Sequence, residues 1–371
     1  MTDSRSFEPS RLALARRRSG LSRSQLAERC GLKTRTIVAY EQGERPPSAD
    51  ALPALSVALG FPQAFFFGPP VERLQREGVS FRSLSKTAAG RREQALAAGE
   101  MGLWLNDFVE GEGRFNLPLS RVPDLHPQPT PEIAAQSLRV LWGLADKPIP
   151  NMVRLLEANG IRVLSLAENT REIDAFSFWR GDTPFVFLNT LKSQERSRFD
   201  AGHELGHLVL HRHGQAGGRQ AEIEANAFAS TFLMPESSIR THAPRAPRLP
   251  DLVYSKRAWG VSVAALAHRM HKLGLISDWL YQSLAIQIQV AGYRETEPEP
   301  IARELSQIWP LVFSALKEDG ICRADLARRL SWPLDELRSL VFQLVLSADP
   351  GGGSAEDSGA APPFRKLRLE R

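Results

Sequence analysis

The chain has 371 residues, 42% hydrophobic and 24% charged, with a formal net charge of +5 and two cysteines, Cys30 and Cys322. That length allows two or three separately cored domains, and the composition is that of a water-soluble protein. Two cysteines far apart exclude a disulfide framework and a cysteine metal cluster, and the absence of a signal peptide or bilayer-length apolar run leads us to expect a cytoplasmic protein without a membrane partner.

The basic surplus is local. Residues 1–67 hold ten Lys/Arg against six Asp/Glu, which favours an acidic partner for this end of the chain. From Pro9 to Gly68 the pattern is a bundle of short helices. Arg11–Arg18 forms the first, with Leu12 and Leu14 inward. Ser22 is an N-cap for a second helix over Arg23–Arg29, and Gly31 breaks it where a helix-turn-helix needs its turn. A third helix spans Thr34–Gln42, with Ile37 and Tyr40 toward the core and Thr34, Arg35 and Val38 outward. If Asp50 caps the fourth helix, Pro53 falls in its first turn, where a missing N–H is tolerated.

The run SRSQLAERCGLKTRTIVAYEQGERPPS, followed by ALPALSVALGF, resembles the XRE-type helix-turn-helix family. The resemblance covers about sixty residues. It implies that the Thr34–Gln42 helix enters the major groove of a double-stranded operator, with Thr34, Arg35 and Val38 at base edges and Arg23 and Gln25 at phosphates. Lys33 stands where the family often has a Ser or Thr cap and is counted with the DNA-facing set. Such domains usually bind as homodimers.

Residues 69–130 read as a connector. Phe81–Val109 is mostly helical in pattern, with Ala97, Met101, Leu105 and Val109 on one face, although Gly90, Gly99 and Gly102 argue against one unbroken helix. The proline-dense stretch Leu117–Pro131 is expected to be an extended, exposed linker.

In residues 131–293, helices are expected over Pro131–Trp142 and Asn151–Asn159. Strands follow at Ile161–Leu166, Ala175–Trp179 and Pro184–Leu188, then a long helix from Ser193 to His211. That helix holds His203-Glu204-Leu205-Gly206-His207. Positions i and i+4 share a helix face, so His203 and His207 can offer nitrogens to one metal ion, with Glu204 beside them as a general base. A third ligand is needed, and the next helical run supplies candidates in Ala221–Asn226. Glu222 and Asn226 are four apart, so a ligating carboxylate there has an amide neighbour able to orient a ligand histidine. His211 lacks the glycine spacing of a metzincin third ligand and reads as a supporting residue.

The runs SRFDAGHELGHLVLH and EIEANAFASTFLMP, preceded by DAFSFWRGDTPFVFLN, resemble the ImmA/IrrE family of zinc-dependent metallopeptidases over about Asp174–Pro235. The resemblance implies His203, His207 and Glu222 as metal ligands, Glu204 as base, Asn226 behind the ligands, and Zn2+ as cofactor with Mn2+ as the alternative. Glu224 competes with Glu222 but lies on a different helix face from Asn226.

Residues 294–346 read as a C-terminal helical module. ETEPEP (Glu295–Pro300) is a short polar linker, and the later run has the rhythm of a second helix-turn-helix whose Pro333–Val345 segment is not basic. Residues 347–371 read as a disordered tail with a basic end. The expected fold class is mainly α with a small β-sheet (α+β): an N-terminal helix-turn-helix bundle (1–68), a zincin-like HExxH domain and a C-terminal helical domain. The expected function is a DNA-binding transcriptional regulator acting through proteolysis of itself or a partner repressor. Its alternatives are a non-proteolytic ligand or metal sensor and an antitoxin-like regulator.

Overall fold

The computed structural model describes residues 6–75, 79–81, 89–111, 115, 117–126, 130–166, 173–212, 218–341 and 344–345. The tail 347–371, the loop 213–217, and Pro127 and Pro129 of the proline-dense stretch lie outside the described residues. In chain order the elements begin with α1 (Pro9–Arg18), α2 (Arg23–Arg29), α3 (Thr34–Glu41), α4 (Ala51–Leu59), β1 (Val79–Phe81) and α5 (Ala89–Gly111). Next come α6 (Pro131–Leu141), α7 (Met152–Ala158), β2 (Arg162–Ser165), β3 (Ala175–Arg180), β4 (Thr183–Leu188), α8 (Gln194–Leu210) and α9 (Arg219–Leu233). The remainder is α10 (Glu236–His242), α11 (Leu249–Ser255), α12 (Val263–Lys272), α13 (Asp278–Val290), α14 (Ile308–Glu318), α15 (Arg323–Leu330) and α16 (Leu334–Leu340). The chain is thus mainly helical with one small sheet, and no helix among the described residues is long and apolar enough to cross a membrane.

Two compact units share these elements. Of the described residues, the first comprises 6–75, 89–117 and 308–345, and the second 79–81 and 118–307.

In the first unit, α2 starts with a reciprocal cap: Gln25 N donates to Ser22 Oγ at 3.2 Å and Ser22 N donates to Gln25 Oε1 at 2.8 Å. Ile37 and Tyr40 are buried, as their spacing predicts. Pro53 does fall in the first turn of α4, but the capping side chain is Ser48, whose Oγ accepts from Ala51 N at 3.3 Å, while Asp50 makes no capping bond. Helix α5 is unbroken over 23 residues despite its glycines. Gly99 and Gly102 lie on its buried side with Met101, Leu105 and Val109, and tertiary packing offsets the roughly 1 kcal/mol each glycine costs.

That packing is against α1. Arg17 reaches Glu100 with both terminal nitrogens, and the Arg11 guanidinium lies 4.3 Å from the Trp104 ring centroid. The C-terminal helices join the same core: Trp332 meets Trp104 edge to face at 5.5 Å, and Arg18 Nε donates to Glu336 Oε2 at 2.7 Å. Helix α16 is the recognition-like segment of the second helix-turn-helix rhythm. Its Glu336 and Ser339 are engaged by Arg18 of α1, so this surface is occupied by the chain itself.

The second unit is built around a four-stranded sheet in the order β1-β3-β4-β2, with β2 parallel to β4 and the other pairs antiparallel. Strand β1 is a three-residue edge strand, too short to show an alternation in the sequence. Phe176 and Phe178 of β3 stack on Phe187 and Phe185 of β4, with Phe176–Phe187 centroids 4.6 Å apart. Strand alternation turns Ser177 to the other face, toward α8.

The residues 117–126 are not a free linker. Arg121 N donates to Asn159 O at 2.9 Å and Leu125 N to Val209 O at 3.0 Å. Gly160 permits this approach, because a Cβ there would stand 2.3 Å from Leu119 O. Between Leu249 and Lys272 the chain forms two helices, since α12 begins afresh from Ser262, whose Oγ accepts from Ala265 N at 3.1 Å. Just before it, the fully buried Lys256 Nζ is 2.8 Å from Glu195 Oε1 and 3.4 Å from Glu297 Oε1. Glu297 also accepts from Val263 N at 2.7 Å, so the ETEPEP run is tied down through its second glutamate.

Candidate metal centre

Helix α8 begins at Ser193, whose Oγ accepts from Arg196 N at 3.4 Å, and is buried along nearly its whole length. It packs on α9 through Phe228, Phe232 and Leu233, all buried. Gly206, between the two histidines of interest, sets the separation: a Cβ there would lie 3.1 Å from Phe228 Cδ1 and 3.2 Å from Ala225 Cα. A side chain at 206 would push the helices apart just where they bring their polar groups together.

Those groups are His203, His207 and Glu222. The Nε2 atoms of His203 and His207 are 3.1 Å apart, and each stands 3.4 Å from a different Glu222 carboxylate oxygen. The two histidines are buried, and the Glu222 side chain retains 24% exposure, so the cluster opens toward solvent on the Glu222 side.

Hydrogen bonds behind the cluster fix the tautomers. Asn226 Nδ2 donates to Glu222 O at 2.7 Å, which turns Asn226 Oδ1 onto His203 Nδ1 at 3.1 Å. That ring nitrogen must therefore carry the proton, leaving a lone pair on Nε2. His207 Nδ1 lies 3.1 Å from His211 Nδ1, and His211 Nε2 lies 2.9 Å from Glu224 Oε2. With His211 donating to Glu224 and accepting from His207, the His207 Nε2 is a lone pair as well. Burial keeps the His211 imidazole below its ordinary value, more than the Glu224 hydrogen bond raises it, which suits an accepting neutral ring.

Two lone pairs and a carboxylate thus face one point, an arrangement that fits a cation. Tetrahedral bonds of about 2.0–2.1 Å place donor atoms roughly 3.3–3.4 Å apart, close to the spacings found. Among the described residues this trio is the one set of three His, Cys, Asp or Glu side chains placed to share an ion.

Glu204, fully buried, accepts a hydrogen bond from Ser177 Oγ at 2.7 Å on Oε2. Sequence reading did not single out Ser177. The available signal was a lone hydroxyl in the phenylalanine-rich strand AFSFW, at the register opposite its aromatic neighbours. Glu224 is placed away from the trio by its bond to His211, which holds its carboxyl below the ordinary range.

At the N-terminal end, Thr34 and Arg35 are exposed in the first turn of α3, and Val38 is half-buried. Lys33, exposed, is the N-cap residue and makes no side-chain capping bond. Arg23 is exposed, but its Nε donates to Glu41 Oε2 at 2.6 Å, and Gln25 spends its carbonyl oxygen on the α2 cap.

Comparison with known protein families gives two matches. Residues 10–64 match a helix-turn-helix domain, and residues 156–271 match the IrrE N-terminal-like domain of the M78 peptidases. The first covers α1–α4, and the second covers the sheet strands β2–β4 together with α8, α9 and the whole His203–His207–Glu222 trio. No curated protein matches the chain.

Proposed function

From a chain that joins a DNA-binding helix-turn-helix domain to an IrrE N-terminal-like domain, we propose a transcriptional regulator that controls gene expression through metal-dependent peptide hydrolysis, acting on itself or on a partner helix-turn-helix repressor. The observation that carries the reading is the presence of Glu204 beside the trio, held by Ser177. A site that only sensed metal would need His203, His207 and Glu222 but would have no use for an oriented carboxylate next to them.

In this reading His203 and His207 bind through Nε2 and Glu222 through its carboxylate, with Zn2+ as the resident ion and Mn2+ as the alternative. A divalent cation at that point supplies Lewis acidity toward the scissile carbonyl and toward water. Glu204 takes the proton from the attacking water at its carboxylate and delivers it to the departing amide nitrogen. Ser177 fixes the rotation of that carboxylate, and Asn226 and His211 keep the two imidazoles in their binding tautomers. Burial of α8 keeps bulk water from competing for these hydrogen bonds. On the DNA side, Thr34, Arg35 and Val38 read base edges, Lys33, Arg23 and Gln25 stand at the backbone, and two copies bind a two-fold operator.

The test compares wild type with Glu204→Gln in cells, mapping new protein N-termini by mass spectrometry while metal content and operator binding are checked in both. Termini present only with wild type are expected, and they name the substrate. Identical termini, with metal and operator binding intact in both proteins, would remove the hydrolytic reading.

A further inference from the structure

Within the second unit a cavity of about 900 Å³ opens among α6, α7 and the segment 117–126. None of its lining residues belongs to the metal trio, and its size is at the upper end of the range for small-molecule sites. The walls sort by chemistry. Leu141, Trp142 and Leu155 supply apolar surface, and among the described residues the lining carries no carboxylate: its charged side chains are Arg121 and Arg154. Neither guanidinium has a hydrogen-bond or ion-pair partner among the described residues.

The apolar wall is held in place. Trp142 Nε1 donates to Arg121 O at 3.3 Å, and the indole meets the Phe232 ring edge to face at 5.9 Å. Leu141 keeps 63% of its surface exposed, an apolar side chain left at the mouth of a concavity. Two uncompensated guanidiniums attract an anion, and a fixed indole with leucines beside it favours a flat apolar body. A neutral hydrocarbon would leave the arginines unused, and a small inorganic anion would leave the apolar wall wet.

The geometry points to a binding site for an anionic small molecule with a flat apolar body, of the aromatic carboxylate or sulfonate class, its charge on Arg121 and Arg154 and its ring against Trp142. The site is separate from the proposed hydrolytic centre and does not depend on it. Arg121 lies shortly after Pro118, where the chain re-enters this unit, and the lining residue Gln307 closes the segment that begins there.

The probe is 8-anilinonaphthalene-1-sulfonate, titrated into the full-length protein by fluorescence, with the uncharged N-phenyl-1-naphthylamine as its neutral counterpart. Wild type is expected to bind the sulfonate saturably at one equivalent. Arg121→Gln/Arg154→Gln should weaken the sulfonate about tenfold or more and leave the neutral dye unchanged. Leu141→Glu, at an exposed position that leaves the core alone, should likewise weaken the sulfonate more than the neutral dye. Absence of saturable sulfonate binding, equal affinity in wild type and the double variant, or parallel loss of both dyes in either variant would overturn the assignment.

Discussion

The Asn226 carboxamide oxygen lies 3.1 Å from His203 Nδ1, and the tautomer this fixes aims the other ring nitrogen of His203 at Glu222. Asn226 cannot turn over without abandoning its bond to the Glu222 carbonyl, so one side chain orients His203 while clasping the backbone of Glu222. Removing it frees the His203 ring to rotate and to take the wrong tautomer. Asn226→Ala is therefore expected to weaken metal binding about 10- to 100-fold, read by competition with a chelator of known affinity. Asn226→Asp keeps an acceptor at the same place and should retain most of the affinity. An unaltered affinity in Asn226→Ala would show that the ring needs no such support.

Ser177 is buried, and its hydroxyl holds Glu204 from the sheet. It hydrogen-bonds to none of His203, His207 and Glu222, so its effect separates from metal binding. Ser177→Ala should lower peptide hydrolysis roughly tenfold with metal content unchanged, and Ser177→Thr, which restores a hydroxyl, should recover much of the loss. Metal loss from Ser177→Ala would instead make the residue a structural support.

These two residues also mark how far the sequence could be read. His203, His207, Glu222 and Asn226 were legible because each pair is spaced four apart on a helix, and helix geometry turns that spacing into a shared face. Ser177 was not legible, because its partner is 27 residues away and the pairing depends on which face of the sheet meets α8. The same limit explains the connector. The glycines of α5 predict an interruption from local propensity, but burial against α1 overrides it. The prolines of the segment 117–126 predict a free strand of chain, but the missing side chain of Gly160 lets the backbone of Leu119 and Ser120 lie against it, while the Leu119 side chain stays exposed. Local signals were reliable where the partner lay within a turn or two, and failed where tertiary contact decided.

Arg17 and Glu100 join α1 to α5 with side chains only 7% and 1% exposed. Glu100→Ala leaves a buried guanidinium without its main partner and should destabilise the first unit by about 3 kcal/mol in urea unfolding. The pH dependence has a definite sign. Burial raises the Glu100 carboxyl above its ordinary value, and the contacts with Arg17 offset only part of that. The folded state then binds the proton more tightly than the unfolded chain, so this group's contribution is fully present below the unfolded value and is lost as pH rises through the folded one. Wild type should therefore gain on Glu100→Gln as pH is lowered from neutral to about 5. A difference that stays constant or moves the other way would contradict the raised value.

Lys33 and Arg35 stand on the exposed start of α3 with different geometries, and the difference predicts separable effects on DNA. Lys33 is the exposed N-cap residue, and its ammonium, which has no hydrogen-bond or ion-pair partner among the described residues, is available to a phosphate. Arg35, in the first helical turn, presents a planar guanidinium suited to two acceptors on one base edge. On an operator obtained by selection, Arg35→Ala should cost about 1–3 kcal/mol and relax preference at one base position. Lys33→Ala should weaken all sequences alike and reduce the slope of log affinity against log salt by about 1. Arg23 is already paired with Glu41, so Arg23→Ala should change the salt slope less than Lys33→Ala does. The measurement is fluorescence anisotropy over a salt series. A reduced salt slope for Arg35→Ala with unchanged base preference would reverse the two roles and move the recognition face away from the first turn of α3.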